Sequence, residues 1–142
     1  MNAAAIEKQA KKNGHPPVAD GIVCVDFDAT IAPWGNLFGF PKPLPGAKDF
    51  LDMLREKGYT IVIYTSRLST VWHAHEGRDP AAGIMQQVEY LQEYFKRYDL
   101  PADSVTAEKI PAVAYIDDKA IEFTSWESAS ARFNERMAAH HG

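Results

Sequence analysis

Ile22-Val23-Cys24-Val25-Asp26-Phe27-Asp28-Ala29-Thr30 is the stretch that decides how this chain folds. Four continuous apolar residues, three of them β-branched, match a strand buried on both faces of a parallel sheet rather than one with a wet face. The run stops at Asp26, and a second aspartate follows two positions later. Side chains two apart on an extended chain point the same way, so both carboxylates can face one pocket. Like charges held that close, with no basic residue beside them, need a cation or a proton. Magnesium suits such hard oxygen ligands.

Two further runs have the same character, Tyr59-Thr60-Ile61-Val62-Ile63-Tyr64 and Ala112-Val113-Ala114-Tyr115-Ile116, and they end in Thr65-Ser66-Arg67 and Asp117-Asp118-Lys119. A short strand fits residues 104–106, and the segment after Asp118 has room for another. Helical periodicity predicts helices over 46–57 with Phe50, Leu51 and Leu54 inward, over 82–98 with Ile84, Val88, Leu91 and Phe95 inward, and over 126–137. The alternation predicts an α/β fold, a parallel sheet with helices on both faces. Such sheets bind ligands outside the carboxyl ends of the strands, where all the polar clusters fall.

At 142 residues the chain is expected to be a short arm over 1–20, halted by Asn13-Gly14-His15-Pro16-Pro17, and one domain over 21–142. Apolar residues make up 46% and charged residues 24%, which excludes fibrous, disordered and membrane classes. A net charge of −4 without a basic run speaks against a nucleic-acid coat, although one nucleic-acid end could still enter a local pocket. Cys24 is the only cysteine, sits mid-strand and reads as core, so a disulfide-stapled scaffold is excluded. No segment resembles a signal peptide or approaches the roughly 20 apolar residues of a membrane span. A cytoplasmic protein without a membrane partner is expected.

Asp-x-Asp alone is equally a turn after a strand. The other strand ends tip the balance, because Thr65 offers a hydroxyl, Lys109 a positive charge, and Asp117 and Asp118 further metal ligands, the parts a phosphoryl-transfer site requires. In motif order and strand placement the chain resembles the haloacid dehalogenase superfamily from Gly21 to about Phe123, in a branch with a minimal cap or none. Asp26-Phe27-Asp28-Ala29-Thr30 matches its first motif, Thr65 its second, Lys109 with nearby Pro111 its third, and the Asp117-Asp118 pair its fourth.

The resemblance implies a Mg²⁺-dependent phosphatase. Asp26 would be the nucleophile that forms an aspartyl phosphate, and Asp28 the acid that protonates the leaving oxygen and then the base that activates water. Dehalogenases of the same plan lack the second aspartate, which favours the phosphatase. Thr65 and Lys109 would bind phosphoryl oxygens, with Ser66 and Arg67 as further substrate contacts. The metal would be held by Asp26, the carbonyl of Asp28, Asp118 directly, and Asp117 directly or through a partner. Thr30 would steady the loop by a local hydrogen bond.

Residues 31–45 form only a flap and 68–81 only a loop, so neither is a large cap. The open mouth admits a phosphorylated metabolite, a nucleotide or a polynucleotide end, or is closed by a second copy of the chain. Trp72 and Arg78 after the second strand can stack or grip an ester, and Lys42 is a further candidate grip. His73 and His75 lack a third ligand and make a poor metal site. A phosphorelay receiver combines similar groups, but it leads with its acidic pair, whereas here the nucleophile leads. A catalytically idle phosphate-binding domain is the remaining alternative.

Overall fold

Four strands, β1 (Ile22–Val25), β2 (Thr60–Tyr64), β3 (Ser104–Thr106) and β4 (Ala114–Ile116), form one all-parallel sheet in the order β3-β2-β1-β4. The computed structural model describes residues 21–141; the arm expected over 1–20 lies outside them. Between the strands run helices α1 (Ala47–Glu56), α2 (Thr70–His75) and α3 (Pro80–Arg97), and α4 (Trp126–His141) follows the sheet. This is the expected α/β class. None of the described helices is long and apolar enough to cross a membrane.

The strand order explains the layers. From β1 to β2 to β3 the chain steps twice in one direction, and crossovers of the usual right hand put α1 and α3 on one face. Val23, Val25, Ile61 and Ile63 point to that face and pack with Leu51 and Leu54 of α1 and with Tyr90, Leu91, Tyr94 and Phe95 of α3. The return from β3 past two strands to β4 uses only residues 107–113 and no helix. Its Ile110 and Ala112 pack with Ile22, Cys24 and Val62 on the opposite face.

Several details differ from the periodicity. Phe50 is 36% exposed, while Leu51 and Leu54 carry the buried stripe of α1. On α3 the buried positions are Gly83, Gln87, Tyr90, Leu91, Tyr94 and Phe95, so Leu91 and Phe95 are as expected while Gly83 and Gln87 stand one residue out of phase with Ile84 and Val88. Residues 68–81 are not a plain loop: Thr65 caps a 3₁₀ turn (Ser66–Leu68) and Ser69 caps α2. The segment after Asp118 adds no strand.

Candidate active site

Asp26 extends the β1 ladder by one bond, its N–H donating to the Ile116 carbonyl at 2.8 Å, so it stands beside the first residue after β4. β1 and β4 are neighbours whose onward connections diverge, which makes their carboxyl ends the switch point where open α/β sheets hold ligands. Asp26, Asp117 and Asp118 each bring a carboxylate oxygen to this point, all within 4.8 Å of one another. Among the described residues none of the three takes part in a salt bridge.

Burial is the main reason the Asp26 carboxyl is pushed up to about 7; hydrogen bonding to Asp118 and the charge of Asp117 add to it, and the Phe27 N–H on Oδ1 at 2.9 Å opposes it. Three carboxylates that no described basic side chain pairs with in a salt bridge fit a hard divalent cation. They front a cavity of about 340 Å³ whose other walls include Asp28, Trp34, Tyr64, Ser66 and Lys119.

Alternation along the extended chain sends Phe27 the other way. Its ring is fully buried and meets Tyr94 edge-on at 4.9 Å between centroids. The turn beyond is closed by the Phe27 carbonyl, which accepts from the N–H groups of Thr30, Ile31 and Ala32. Thr30 therefore does not steady the loop through its side chain, and its buried hydroxyl has no protein partner.

Asp28 also lines the cavity but stands apart from the three carboxylates, because Arg67 holds it. Arg67 Nε and Nη2 donate to Asp28 Oδ2 and Oδ1 at 2.9 and 2.8 Å. Nη2 also donates to the Asn36 carbonyl, and Nη1 to the Leu37 carbonyl and Gln87 Oε1. All five guanidinium N–H groups are thereby engaged. With 4% exposure, Arg67 is a buried tie rather than the substrate contact expected of it.

The tie reaches into the flap. Further along it, the carbonyls of Gly39, Pro41 and Phe40 accept from the hydroxyls of Tyr90, Tyr94 and Tyr98, spaced four apart along α3 and its C-cap. Residues 31–45 are thus laced to α3 and its C-cap by three tyrosines and to the 3₁₀ turn after β2 by Arg67. Gln87 was missed in the sequence because nothing local marks a glutamine as the buried acceptor of an arginine one element away.

Of the remaining expected residues, Ser66 lines the cavity. Thr65 is only 1% exposed, and its hydroxyl accepts from the Arg67 N–H at 3.1 Å, so it acts as a cap. Lys109 is exposed and is not among the cavity walls; its ammonium lies 5.7 Å from the Tyr115 ring centroid. The helix-free connection between β3 and β4 turns it that way. Lys119 takes the cationic place at the cavity, its ammonium 5.6 Å from the Trp34 ring. Its position beside the acidic pair was the available signal.

Lys42 is exposed and away from the cavity. Both ring nitrogens of His73 are engaged, Nε2 with the Arg67 carbonyl and Nδ1 by the Arg78 Nε–H, which removes it as a metal ligand. Compared with protein-family models, with curated proteins and with solved structures, the chain gives no match.

Proposed function

We propose that this chain is a Mg²⁺-dependent phosphomonoester hydrolase of the haloacid dehalogenase type, working through an aspartyl phosphate on Asp26. The observation that carries the reading is the convergence of three unpaired carboxylates, Asp26, Asp117 and Asp118, at the switch point of a parallel sheet. A site that concentrates negative charge this way is made for a cation and an anionic substrate together.

Asp26, Asp117, Asp118 and the Asp28 carbonyl would hold Mg²⁺, which when bound supplies the positive charge that lets a phosphate approach carboxylates. Asp117 Oδ1 already accepts the Lys119 N–H at 2.7 Å, which leaves Asp118 the freer carboxylate and favours it as the direct ligand.

In the first step an Asp26 oxygen bonds to phosphorus while the ester oxygen leaves and takes a proton from Asp28. In the second, Asp28 takes a proton from water as the water oxygen attacks phosphorus, which releases inorganic phosphate and restores Asp26. One Arg67 hydrogen bond on each Asp28 oxygen leaves lone pairs free to carry that proton, while the fork fixes where the carboxyl points. Ser66 and Lys119 offer donors to the phosphoryl oxygens, a role in which Lys119 replaces Lys109.

Hydrolysis of p-nitrophenyl phosphate tests the reading. Activity is expected to require Mg²⁺, to vanish on chelation, and to vanish in Asp26→Asn with the thermal midpoint retained. Undiminished turnover in excess chelator or in that variant would overturn it.

A further inference from the structure

A second cavity, of about 520 Å³, shares Asp28, Trp34, Ser66 and Lys119 with the first and adds Trp72, Glu76 and Arg78 to its walls. Arg78 is held in place there. Its guanidinium carbon lies 4.4 Å from the Trp72 ring centroid, and its Nε donates to His73 Nδ1 at 3.1 Å. His73 is buried, and its Nε2 lies 2.7 Å from the Arg67 carbonyl oxygen, so the proton sits on Nε2 and Nδ1 is a neutral acceptor.

Arg78 therefore has a fixed plane but no counter-charge. Among the described residues it forms no salt bridge, Glu76 of the same cavity included, and its Nη2 is buried without a partner. Arg67, the other guanidinium of this cavity, spends all its donors on the protein. A half-buried guanidinium with an unpartnered Nη2 is costly unless an anion visits it, and guanidinium geometry matches phosphate. Trp34, which walls both cavities, is 74% exposed, so most of its ring is free to stack.

We propose that the second cavity is a subsite for a second phosphate on the substrate, gripped by Arg78, with Trp34 stacking on an aromatic ring between the two phosphates. This rests on the reading that the first phosphate is cleaved at Asp26. The substrate class it selects is a nucleotide carrying two phosphate groups, either a free nucleoside bisphosphate or the phosphorylated end of a polynucleotide. A polynucleotide end fits a chain with no basic surface run, because only a local pocket is needed.

Binding by calorimetry to the Asp26→Asn protein in excess Mg²⁺, where no turnover is needed, tests the subsite separately from the chemistry. Adenosine 3′,5′-bisphosphate is expected to bind at least about 10-fold more tightly than adenosine 3′- or 5′-monophosphate, a gain in the range of one charge-assisted fork. Arg78→Gln should erase that advantage, and Arg78→Lys, which keeps the charge but not the fork, should keep only part of it. Trp34→Ala should weaken every nucleotide by roughly 5- to 100-fold while leaving glycerol phosphate nearly unaffected.

A dinucleotide with a terminal phosphate tells the two sources apart: binding as tight as the bisphosphate indicates a polynucleotide end, weaker binding a free nucleotide. Equal affinity for the bisphosphate and both monophosphates would overturn the subsite whatever the variants do, as would an Arg78→Gln protein that folds and keeps the advantage. If p-nitrophenyl phosphate is not hydrolysed yet the bisphosphate advantage is present and depends on Arg78, the phosphatase reading has failed and the subsite has not.

Discussion

Arg67 and Asp28, 39 residues apart in the chain, meet in a two-point ion pair, Nε to Oδ2 at 2.9 Å and Nη2 to Oδ1 at 2.8 Å. The same guanidinium is bonded to the flap at Asn36 and Leu37 and to α3 at Gln87. Its cation also lies about equally close to the rings of Phe27 and Tyr90, at 5.0 and 4.9 Å. One side chain thus joins the proposed acid/base group, the flap and the longest helix.

Arg67→Lys keeps the charge but loses the planar fork, so it should leave buried acceptors unpaired and cost about 3 kcal/mol of stability. If Arg67 works by aiming Asp28, kcat should fall on the order of 10²-fold with a smaller change in KM. The separating measurement is a double-mutant cycle. In an Asp28→Asn background the same Arg67→Lys change should lower kcat by little further, whereas equal losses in both backgrounds would mean that Arg67 acts through the fold and not through Asp28.

Ala29, directly after Asp28, sits in the left-handed region at φ 59°. That conformation costs a residue with a Cβ roughly 1–2 kcal/mol, of which a glycine would give back part through its freer unfolded chain. Ala29→Gly should therefore raise stability by about 0.5–1 kcal/mol, seen as a thermal midpoint a few degrees higher. A lower midpoint would show that the turn is not held as described.

The raised Asp26 carboxyl should make stability depend on pH and, if the proposed function holds, on metal. Its folded value of about 7 lies above its ordinary 3.8, so between those values the folded protein holds a proton that the unfolded chain has released. The stability this proton contributes is complete below about pH 4 and is lost as pH rises to about 7. On the proposed function a cation should take over where the proton leaves. In chelator the midpoint should fall as pH rises from 5 to 8, and Mg²⁺ should restore it at pH 8, by about 2.7 kcal/mol if present at 100 times its Kd. At pH 5 the same Mg²⁺ should do little, since it must displace the proton. An equal Mg²⁺ effect at both values would mean that Asp26 does not couple to the metal.

The sheet was legible because buried parallel strands announce themselves: Ile22-Val23-Cys24-Val25 and Ile61-Val62-Ile63 have no other economical reading. Asp26, Asp117 and Asp118 were legible for the same reason, since a strand end fixes where the next side chain goes. What failed were inferences that depend on a distant partner. Arg67 looks like a free cation until Asp28, Asn36, Leu37 and Gln87 come to it. On α3, Gly83 and Gln87 take the buried places that the apolar stripe gives to Ile84 and Val88. Lys109 was assigned by its place in a motif, but a lysine's reach depends on the path of its connection. The short, helix-free segment from β3 to β4 leaves it over Tyr115 and hands the cavity to Lys119.

Asp28 offers the sharpest test of the two-step chemistry, because only a hydrolase needs it both to give a proton to a leaving oxygen and to take one from water. A phosphorelay receiver has no such duty. An alkyl phosphate departs as a strongly basic alkoxide, so without the acid, phosphorylation of Asp26 in Asp28→Asn should slow by about 10²- to 10⁴-fold. The phenol released from p-nitrophenyl phosphate has a pKa of about 7 and leaves unaided, so that first step should be largely spared while hydrolysis of the acyl phosphate stalls. Stopped-flow absorbance should then show a burst of about one equivalent of p-nitrophenol per enzyme followed by a slow steady rate, with a base-labile phosphate recovered on Asp26. Because the substitution also removes an acceptor for the Arg67 fork, the thermal midpoint must be read alongside the burst. A folded variant that slows both substrates equally and shows no burst would remove Asp28 from the chemistry and leave the aspartyl phosphate without its acid/base partner.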